Sequence, residues 1–280
     1  MKLIANAKIN FTLDIKGKRE DGYHLIDSVM QSVSLADTVT LEKADEITVT
    51  CSDSEIMGED NIAFKAAKEF FDFSKISGGA DIYIEKHIPK AAGLGGGSAD
   101  AAAVIVGLNS LYEAGLKLDA LCKIGLKVGA DVPFCIMGGT VRATGIGEIL
   151  EELPAFPERH LVIVKNGRKL STKAMYEKID SIEENFDHTE KFVKELSLCN
   201  CNKALQYTGN SFEAVCKIDN MKQIAAEFNP VTVGLSGSGP SVFFVLENDE
   251  IASALAKKLF HLGFEPHIAK TQSYGIKKTE

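Results

Sequence analysis

Alternating apolar and polar residues near the start of the chain predict a β-strand over residues 4–15. Ile9 and Phe11 fall on its apolar side. Lys8 and Asn10 fall on the opposite side. A strand with one polar face is ordinary where that face meets water, so this segment alone leaves both a surface role and a functional role open for Lys8 and Asn10.

Similar patterns divide the rest of the chain into interleaved strands and helices. Alternation predicts strands at residues 28–35, 38–43, 46–51, 80–86, 134–144, 160–165, 231–235, 241–246 and 265–270. Helical spacing predicts helices beginning near residue 59, at 98–114, at 118–128, around 176, within 189–228 and at 251–262. Prolines at 154 and 157 mark the clearest boundary, so the sequence predicts an α+β protein with two domains, residues 1–153 and 154–280.

The most distinctive stretch is the glycine-rich segment PKAAGLGGGSADAA at residues 89–102. It lies between a predicted strand and a predicted helix, for which Ser98 is the expected N-cap and Gly115 follows the end. Glycines let successive backbone amides turn inward, and a helix N-terminus adds unpaired N–H groups and the positive end of the helix dipole. Four glycines in five positions at such a junction predict a phosphate-binding loop rather than a flexible surface turn.

The spacing of this loop differs from two common phosphate loops. No lysine follows its last glycine, as the pattern GxxxxGK[ST] would require, and residues 93–97 do not fit GxGxxG. Lys86, His87 and Lys90 place further hydrogen-bond donors beside the loop.

Three other segments carry candidate chemistry. Tyr23 and His24 follow a turn, where they can stack on a base and bond its edge or simply anchor the loop. Asp131 lies on a corner between a glycine and a proline, where a carboxylate is either a structural cap or a catalytic group. Gly237 and Ser238 belong to a second glycine loop, which is a tight turn or another wall of a site that backbone can approach closely.

Composition and charge narrow the function classes. The 280 residues are 45% hydrophobic, and the net charge of −8 without a basic run disfavours nucleic-acid binding. No apolar run reaches membrane-spanning length, and the N-terminal residues are not typical of a signal peptide. Among the six cysteines only Cys199 and Cys201 lie close together, without zinc spacing, so we expect reduced cysteines in a cytoplasmic protein.

Three blocks in order resemble the motifs of the GHMP kinases, the small-molecule kinases that include galactokinase, homoserine kinase, mevalonate kinase and phosphomevalonate kinase. The blocks are the strand with Lys8 and Asn10, the loop at residues 89–99 and the loop at 235–239. The resemblance extends over nearly the whole chain. It implies a two-domain GHMP-kinase-like fold, with an N-terminal, ATP-binding, ribosomal-protein-S5-like domain and a C-terminal ferredoxin-like α/β-plait domain.

Five blocks together resemble a narrower group of these kinases, whose acceptor is a methylerythritol linked to cytidine diphosphate. They read AKIN at residues 7–10, DGYH at 21–24, EDN at 59–61, GLGGGSADAA at 93–102 and GADVPF at 129–134. The DGYH block is the most telling, because its role in that group is to read cytosine. The resemblance implies transfer of the γ-phosphoryl group of ATP to the 2-hydroxyl of the acceptor, with Mg²⁺, in non-mevalonate isoprenoid biosynthesis.

The resemblance also implies roles for single residues. Asp131 would accept the proton of the hydroxyl, and Lys8 would keep Asp131 ionised and position the hydroxyl. Tyr23 would stack on cytosine, His24 would pair with its edge and Tyr176 would cover the other face.

Asn10 would bind the methylerythritol part, and Gly237 and Ser238 would add to the acceptor site. The residues that would bind ATP are Pro89, Lys90, Ala91, Ala92, Gly93, Leu94, Gly95, Gly96, Gly97, Ser98, Ala99, Asn61 and Asp100. Ala99 stands where the family often has a second serine, which puts one phosphate or metal contact in doubt. Asp100 stands where some members have an asparagine, which puts the adenine contacts in doubt. The metal ligands cannot be read from the sequence, and Ser98 is no more than a candidate.

Other functions stay open on the residues alone. They are another GHMP kinase, a mevalonate diphosphate decarboxylase and a non-catalytic nucleotide or sugar sensor with the same fold. Tyr23 and His24 argue against the first two, because neither needs to read cytosine. Lys8 and Asp131 argue against a sensor. A monomer and a weak homodimer both fit, and we expect only small-molecule partners.

Overall fold

The computed structural model describes residues 1–53, 58–167, 171–182 and 186–279, and within them the fold is α+β. The strands are β1 (Lys2–Lys18), β2 (His24–Ala44), β3 (Ile47–Cys51), β4 (Gly79–Glu85), β5 (Thr140–Thr144), β6 (Ile149–Glu152), β7 (His160–Lys165), β8 (Gly209–Asn210), β9 (Thr232–Leu235), β10 (Ser241–Leu246), β11 (Pro266–Gln272) and β12 (Ile276–Lys278). The helices are α1 (Ile62–Ser74), α2 (Gly96–Leu111), α3 (Leu118–Val128), α4 (Val132–Met137), α5 (Thr172–Ile179), α6 (His188–Ser197), α7 (Cys201–Ala204), α8 (Asp219–Ala225) and α9 (Asp249–His261). None of the helices in these ranges has the length and apolarity needed to cross a membrane.

Two long antiparallel strands, β1 and β2, form the centre of the fold. The predicted strands at 28–35 and 38–43 are parts of β2, which is continuous. Both faces of β1 are buried: Lys8 and Asn10 are only 4% and 1% exposed. The polar face of β1 therefore does not meet water, which favours a functional role for its side chains over a surface role.

The ladder between β1 and β2 is interrupted near the middle of β1. Asn10 lies opposite Met30, but Thr12 lies opposite Val29, so the register shifts by one residue at Phe11. This is a β-bulge, a feature that bends a strand and changes the direction in which its side chains point.

The strand order is β12-β1-β2-β11-β7-β10-β9, with β3, β4, β5, β6 and β8 joined to this path. Strand β11 changes partner along its length: residues 266–270 pair with β7, and Thr271 and Gln272 pair with β2. It thereby connects the first half of the chain to the second. The domain boundary predicted at residues 153 and 154 falls between β6 and β7 and stays a prediction.

Hydrophobic residues form two clusters, and β1 contributes to both. Ile9 and Phe11 belong to the larger cluster, which includes residues of α1, α2 and α3. Leu13 belongs to the smaller one, which includes residues of α8, α9 and β10. Packing therefore fixes β1 on both sides of its buried polar residues.

The predicted strand at residues 134–144 was wrong in its first part. Val132–Met137 form α4, and only Thr140–Thr144 form a strand, β5. Pro133 fits in the first turn of α4 because that turn requires no N–H group from it. A short apolar run such as VPFCIM has no period that distinguishes a buried helix from a buried strand.

Other predicted boundaries also change. Helix α2 begins at Gly96 after Gly95, so Ser98 lies inside its first turn and the prediction of Ser98 as N-cap was wrong. The predicted helical region 189–228 is divided into α6, α7 and α8 by short 3₁₀ turns and β8, and β12 was not predicted.

Candidate active site

A cleft of about 580 Å³ lies where the glycine-rich loop meets β1, the start of α4 and the second glycine loop. Most of the residues predicted to bind ATP or the acceptor line it. They are Lys8, Asn10, Asn61, residues 89–98, Asp100, Asp131, Tyr176, Gly237 and Ser238. Ala99 is fully buried, and Tyr23 and His24 are not part of the lining.

The carbonyl groups of the glycine-rich loop accept hydrogen bonds from three other residues. Lys8 N donates to the Leu94 carbonyl at 2.9 Å, and Ser241 N donates to the Ala92 carbonyl at 3.2 Å. Ser236 Oγ donates to the Gly93 carbonyl at 3.0 Å. A Cβ on Gly93, which has a φ of +78°, would lie 2.4 Å from the Ser236 carbonyl oxygen, so only glycine lets the two loops approach this closely.

The end of this loop is the N-terminus of α2. Gly95 precedes the helix in a left-handed conformation (φ 72°), and no side chain caps this end. The first turn, residues 96–98, lines the cleft, so its N–H groups and the positive helix end are directed toward the phosphate site that the sequence predicts.

Lys8 and Asp131 meet at the wall of the cleft formed by β1 and α4. Lys8 Nζ lies 3.8 Å from Asp131 Oδ2, and the lysine side chain is only 5% exposed whereas the aspartate side chain is 35% exposed. Lys8 Nζ also donates to Asn10 Oδ1 at 2.8 Å. A buried ammonium beside an accessible carboxylate can position a hydroxyl group and accept its proton.

Asp100 lines the cleft but is already engaged in an ion cluster. Lys86 Nζ donates to Asp100 Oδ2 at 2.6 Å and also to the carboxylate of Asp37. Asp100 Oδ1 is buried and finds no hydrogen-bond partner among the residues that the structure describes. Burial raises the pKa of Asp100 to about 8; the charge on Lys86 opposes this shift and the charge on Asp37 adds to it.

Lys86 is the shared cation of this cluster. Burial lowers its pKa, but the charges on Asp100 and Asp37 outweigh burial, so the pKa is raised. The sequence indicated Lys86 as a donor near the loop but gave no sign of Asp37, which lies 49 residues away in β2.

His24 and Tyr176 stack on each other with ring centroids 4.3 Å apart and an angle of 16°. His24 Nε2 also contacts Asp180, which accepts a 2.6 Å hydrogen bond from Lys18. The hydrogen bonds from Lys18 and His24 lower the pKa of Asp180. The structure thus brings the rings of His24 and Tyr176 together, whereas the neighbouring Tyr23 is 61% exposed.

Two features of the cleft were missed by the sequence analysis. Asn61 caps α1 by accepting a hydrogen bond from Ala63 N at 2.9 Å, so its amide has a structural role as well. The apolar wall is formed by residues that carried no signal beyond alternation or helical spacing. They are Leu13, Ile26, Met30, Ile62, Ile88, Ile146 and Phe212.

Within the parts of the chain that the structure describes, no three His, Cys, Asp or Glu side chains are grouped to hold a metal ion. Ser98 and Asp131 offer one hydroxyl and one carboxylate at the cleft. This small donor set fits Mg²⁺, which commonly takes one or two protein ligands and completes its shell with phosphate and water oxygens.

Comparisons with known proteins agree along the whole chain. The family model described as the GHMP kinases N terminal domain matches residues 61–139. The chain is 40% identical over 280 residues to the 4-diphosphocytidyl-2-C-methyl-D-erythritol kinase of Clostridium tetani, which covers 97% of this chain and 100% of the relative. It is 41% identical to the protein of the same name from Acetivibrio thermocellus, with 97% and 99% covered.

Solved structures show the same relationship. A crystal structure of 4-(cytidine 5'-diphospho)-2C-methyl-D-erythritol kinase matches with a TM-score of 0.79 at 28% identity, covering 97% of this chain and 99% of that chain. Homoserine kinase from Cytophaga hutchinsonii matches with a TM-score of 0.80 at 18% identity, covering 99% and 96%, and this likeness shows the fold alone.

Proposed function

Because the chain belongs to the 4-diphosphocytidyl-2-C-methyl-D-erythritol kinases of the GHMP group, we propose that it phosphorylates the 2-hydroxyl of 4-diphosphocytidyl-2-C-methyl-D-erythritol. ATP is the phosphoryl donor, and the products are the 2-phosphate and ADP, in non-mevalonate isoprenoid biosynthesis. The observation that best supports this is the Lys8–Asp131 pair, 3.8 Å apart, in a cleft walled by a glycine-rich loop and a helix N-terminus.

The residues of the cleft supply what phosphoryl transfer needs, which is mainly positioning and charge stabilisation. The triphosphate lies along residues 89–98 at the start of α2. Asp131 accepts the proton of the acceptor hydroxyl, and the oxygen of that hydroxyl forms a bond to the γ-phosphorus. The bond from that phosphorus to the bridging oxygen breaks, and ADP leaves with the electron pair. Lys8 holds Asp131 and the hydroxyl in place.

Ser98 and Asp131, which line the cleft, would hold Mg²⁺ there. When bound, the ion would neutralise charge on the phosphate oxygens. The two residues themselves orient the triphosphate and the acceptor relative to each other.

Tyr176 binds the acceptor at its end of the cleft. The ring of Phe212 packs against the ring of Tyr176 edge to face, with their centroids 5.0 Å apart. Burial and, to a smaller extent, the charge on Asp131 raise the pKa of Tyr176 to about 12. His24 already covers one face of Tyr176, so contact of cytosine with both rings requires one ring to move. The same proposal describes a cytoplasmic enzyme, monomeric or weakly dimeric, without a nucleic-acid or membrane partner.

The test is ADP release with 4-diphosphocytidyl-2-C-methyl-D-erythritol, compared with mevalonate, homoserine and galactose as parallel acceptors. We expect turnover with the cytidylyl acceptor alone. Turnover of another acceptor would overturn the substrate, and ATP binding without turnover of any acceptor would favour a sensor.

Lys8→Ala and Asp131→Asn test the catalytic pair in the same assay. We expect each to lower kcat by about 10²-fold or more, the range of general base catalysis. Lys127→Ala is the control, because this lysine lies on α3 with its side chain 57% exposed. Parental turnover by Lys8→Ala or Asp131→Asn would contradict the assignments.

A further inference from the structure

The β-bulge at Phe11 is closed by side chains instead of backbone pairs. Ser28 Oγ donates to the Thr12 carbonyl at 2.6 Å, and Val29 N donates to Thr12 Oγ1 at 3.0 Å. Thr12 and Ser28 are both fully buried. Because water cannot reach these groups, the two hydrogen bonds replace the ladder bonds that the bulge removes.

The hydroxyl of Ser28 has a second partner in Asn10. Its only hydrogen is directed to the Thr12 carbonyl, so its oxygen is left to accept. Asn10 Nδ2 donates to this oxygen at 2.8 Å. Ser28 therefore selects the nitrogen end of the Asn10 amide.

The oxygen end of the same amide faces the candidate active site. Asn10 Oδ1 accepts from Lys8 Nζ at 2.8 Å and from Gly237 N at 2.8 Å. If the amide turned over, its NH₂ group would face an ammonium and an N–H group, so donors would meet donors. Asn10 is 1% exposed, and water would not relieve this mismatch.

We propose that Ser28 is a positioning residue for phosphoryl transfer, because it fixes the Asn10 amide with its oxygen toward both Lys8 and the second glycine loop. The inference rests on the proposed role of Lys8. Without the Ser28 hydroxyl, Asn10 Nδ2 loses its acceptor, so the amide plane can tilt and the acceptor for Lys8 and Gly237 is no longer held in one position.

Two substitutions of Ser28 with nearly equal volume test this. Ser28→Thr keeps the hydroxyl, and Ser28→Val puts a methyl group in its place, so both variants add similar bulk to the buried site. We expect the kcat of Ser28→Val to be about 10- to 100-fold below that of Ser28→Thr. A loss of this size is typical when a group near the reacting atoms, here Lys8, is displaced. The KM for ATP should differ by less than about threefold, because the interaction acts on the transition state. The NMR signal of the Asn10 side-chain amide should shift in Ser28→Val only.

Ser211→Ala is the matched control. Ser211 is also fully buried, and its hydroxyl also bonds to β1, where it accepts from Ile15 N at 2.9 Å. We expect a lower free energy of unfolding with parental kcat. Equal kcat in Ser28→Val and Ser28→Thr, or an equal loss of kcat in Ser211→Ala, would overturn the positioning role. An active Lys8→Ala protein would instead overturn the proposed role of Lys8 on which the inference rests, and a parental protein without turnover of the cytidylyl acceptor would overturn the proposed function.

Discussion

Asp100 shows how a single buried side chain depends on residues that are distant in sequence. Lys86 carries one positive charge but contacts two carboxylates, those of Asp37 and Asp100. Asp37 also accepts hydrogen bonds from the backbone N–H groups of His87 and Ile88, at 2.6 and 2.8 Å. The carboxylate of Asp37 therefore has more hydrogen-bond donors than that of Asp100. Because Lys86 neutralises only one negative charge, the ionised form of Asp100 is the less stabilised of the two.

Asp100→Asn should stabilise the protein above neutral pH. Burial raises the pKa of Asp100 from 3.8 to about 8, so the ionised form is disfavoured in the folded state. Stability falls as pH rises between these two values and is constant above them. The amide of the variant does not ionise, so its advantage should grow from pH 4 to pH 8 and reach about 1 kcal/mol or more, since each pKa unit is worth about 1.4 kcal/mol.

Urea unfolding at pH 5 and pH 8 measures this advantage. Asp37→Asn is the control, because it removes the charge from the better satisfied carboxylate and should lower stability at both pH values. An Asp100→Asn protein less stable than the parent at pH 8 would show that Asp100 is held ionised.

At the scale of elements, the cleft is defined by the glycine-rich loop and the second glycine loop, which lie against each other. The Gly93 carbonyl accepts from Ser236 Oγ, and the Asn10 side chain accepts from Gly237 N. Asn210 Nδ2 donates to the carbonyls of Leu235 and Gly237, each at 2.9 Å, and these two hydrogen bonds hold the second glycine loop in place. The backbones of the two loops are so close at Gly93 that the geometry of this junction depends on the absence of a Cβ there.

Gly93→Ala should disrupt both loops. Its Cβ would lie 2.4 Å from the Ser236 carbonyl oxygen, in a backbone conformation that L residues rarely adopt. Gly115→Ala is the control, since Gly115 also has a positive φ (+64°) but nothing within 4 Å of an added Cβ. We expect Gly115→Ala to cost about 1–2 kcal/mol from strain alone. Gly93→Ala should cost more in urea unfolding and also weaken ATP binding in calorimetry, and equal effects of the two substitutions would contradict the loop contact.

The elements also show which parts of the site were predictable from sequence. The glycine-rich loop depends on glycines and a helix start within 14 consecutive residues, so its local pattern was sufficient. The Asp37–Lys86 and His24–Asp180 contacts join residues 49 and 156 positions apart, and no local pattern predicts such pairs. The stack of His24 on Tyr176 was likewise unforeseen, because sequence assigns roles to rings but not their mutual contacts.

At the scale of the whole molecule, strand β11 joins the two halves of the chain. Thr271 lies where β11 leaves β7 and pairs with β2. Its hydroxyl donates to the Pro157 carbonyl at 3.0 Å and accepts from Arg159 N at 2.9 Å. Thr271 is 4% exposed, so these bonds compete little with water.

Thr271→Val should weaken this junction. It removes the hydrogen bonds to the Pro157 carbonyl and from the Arg159 N–H group, each of which typically contributes about 0.5–1.5 kcal/mol. Thr271→Ser keeps the hydroxyl and loses only a methyl group, which costs about 1 kcal/mol. The urea midpoint of Thr271→Val should be the lower of the two, and identical midpoints would show that the hydroxyl contributes nothing.

The hydrogen bond between Asn10 and Gly237 has a consequence for synthesis on the ribosome. A nascent chain of residues 1–153 already contains Lys8, the glycine-rich loop and Asp131. It does not yet contain the second glycine loop or β12, which pairs with β1 at Leu3, Ile4 and Ala5. Strand β1 therefore gains this partner only after β12 has been synthesised, and the cleft is complete only after the second glycine loop has emerged from the ribosome.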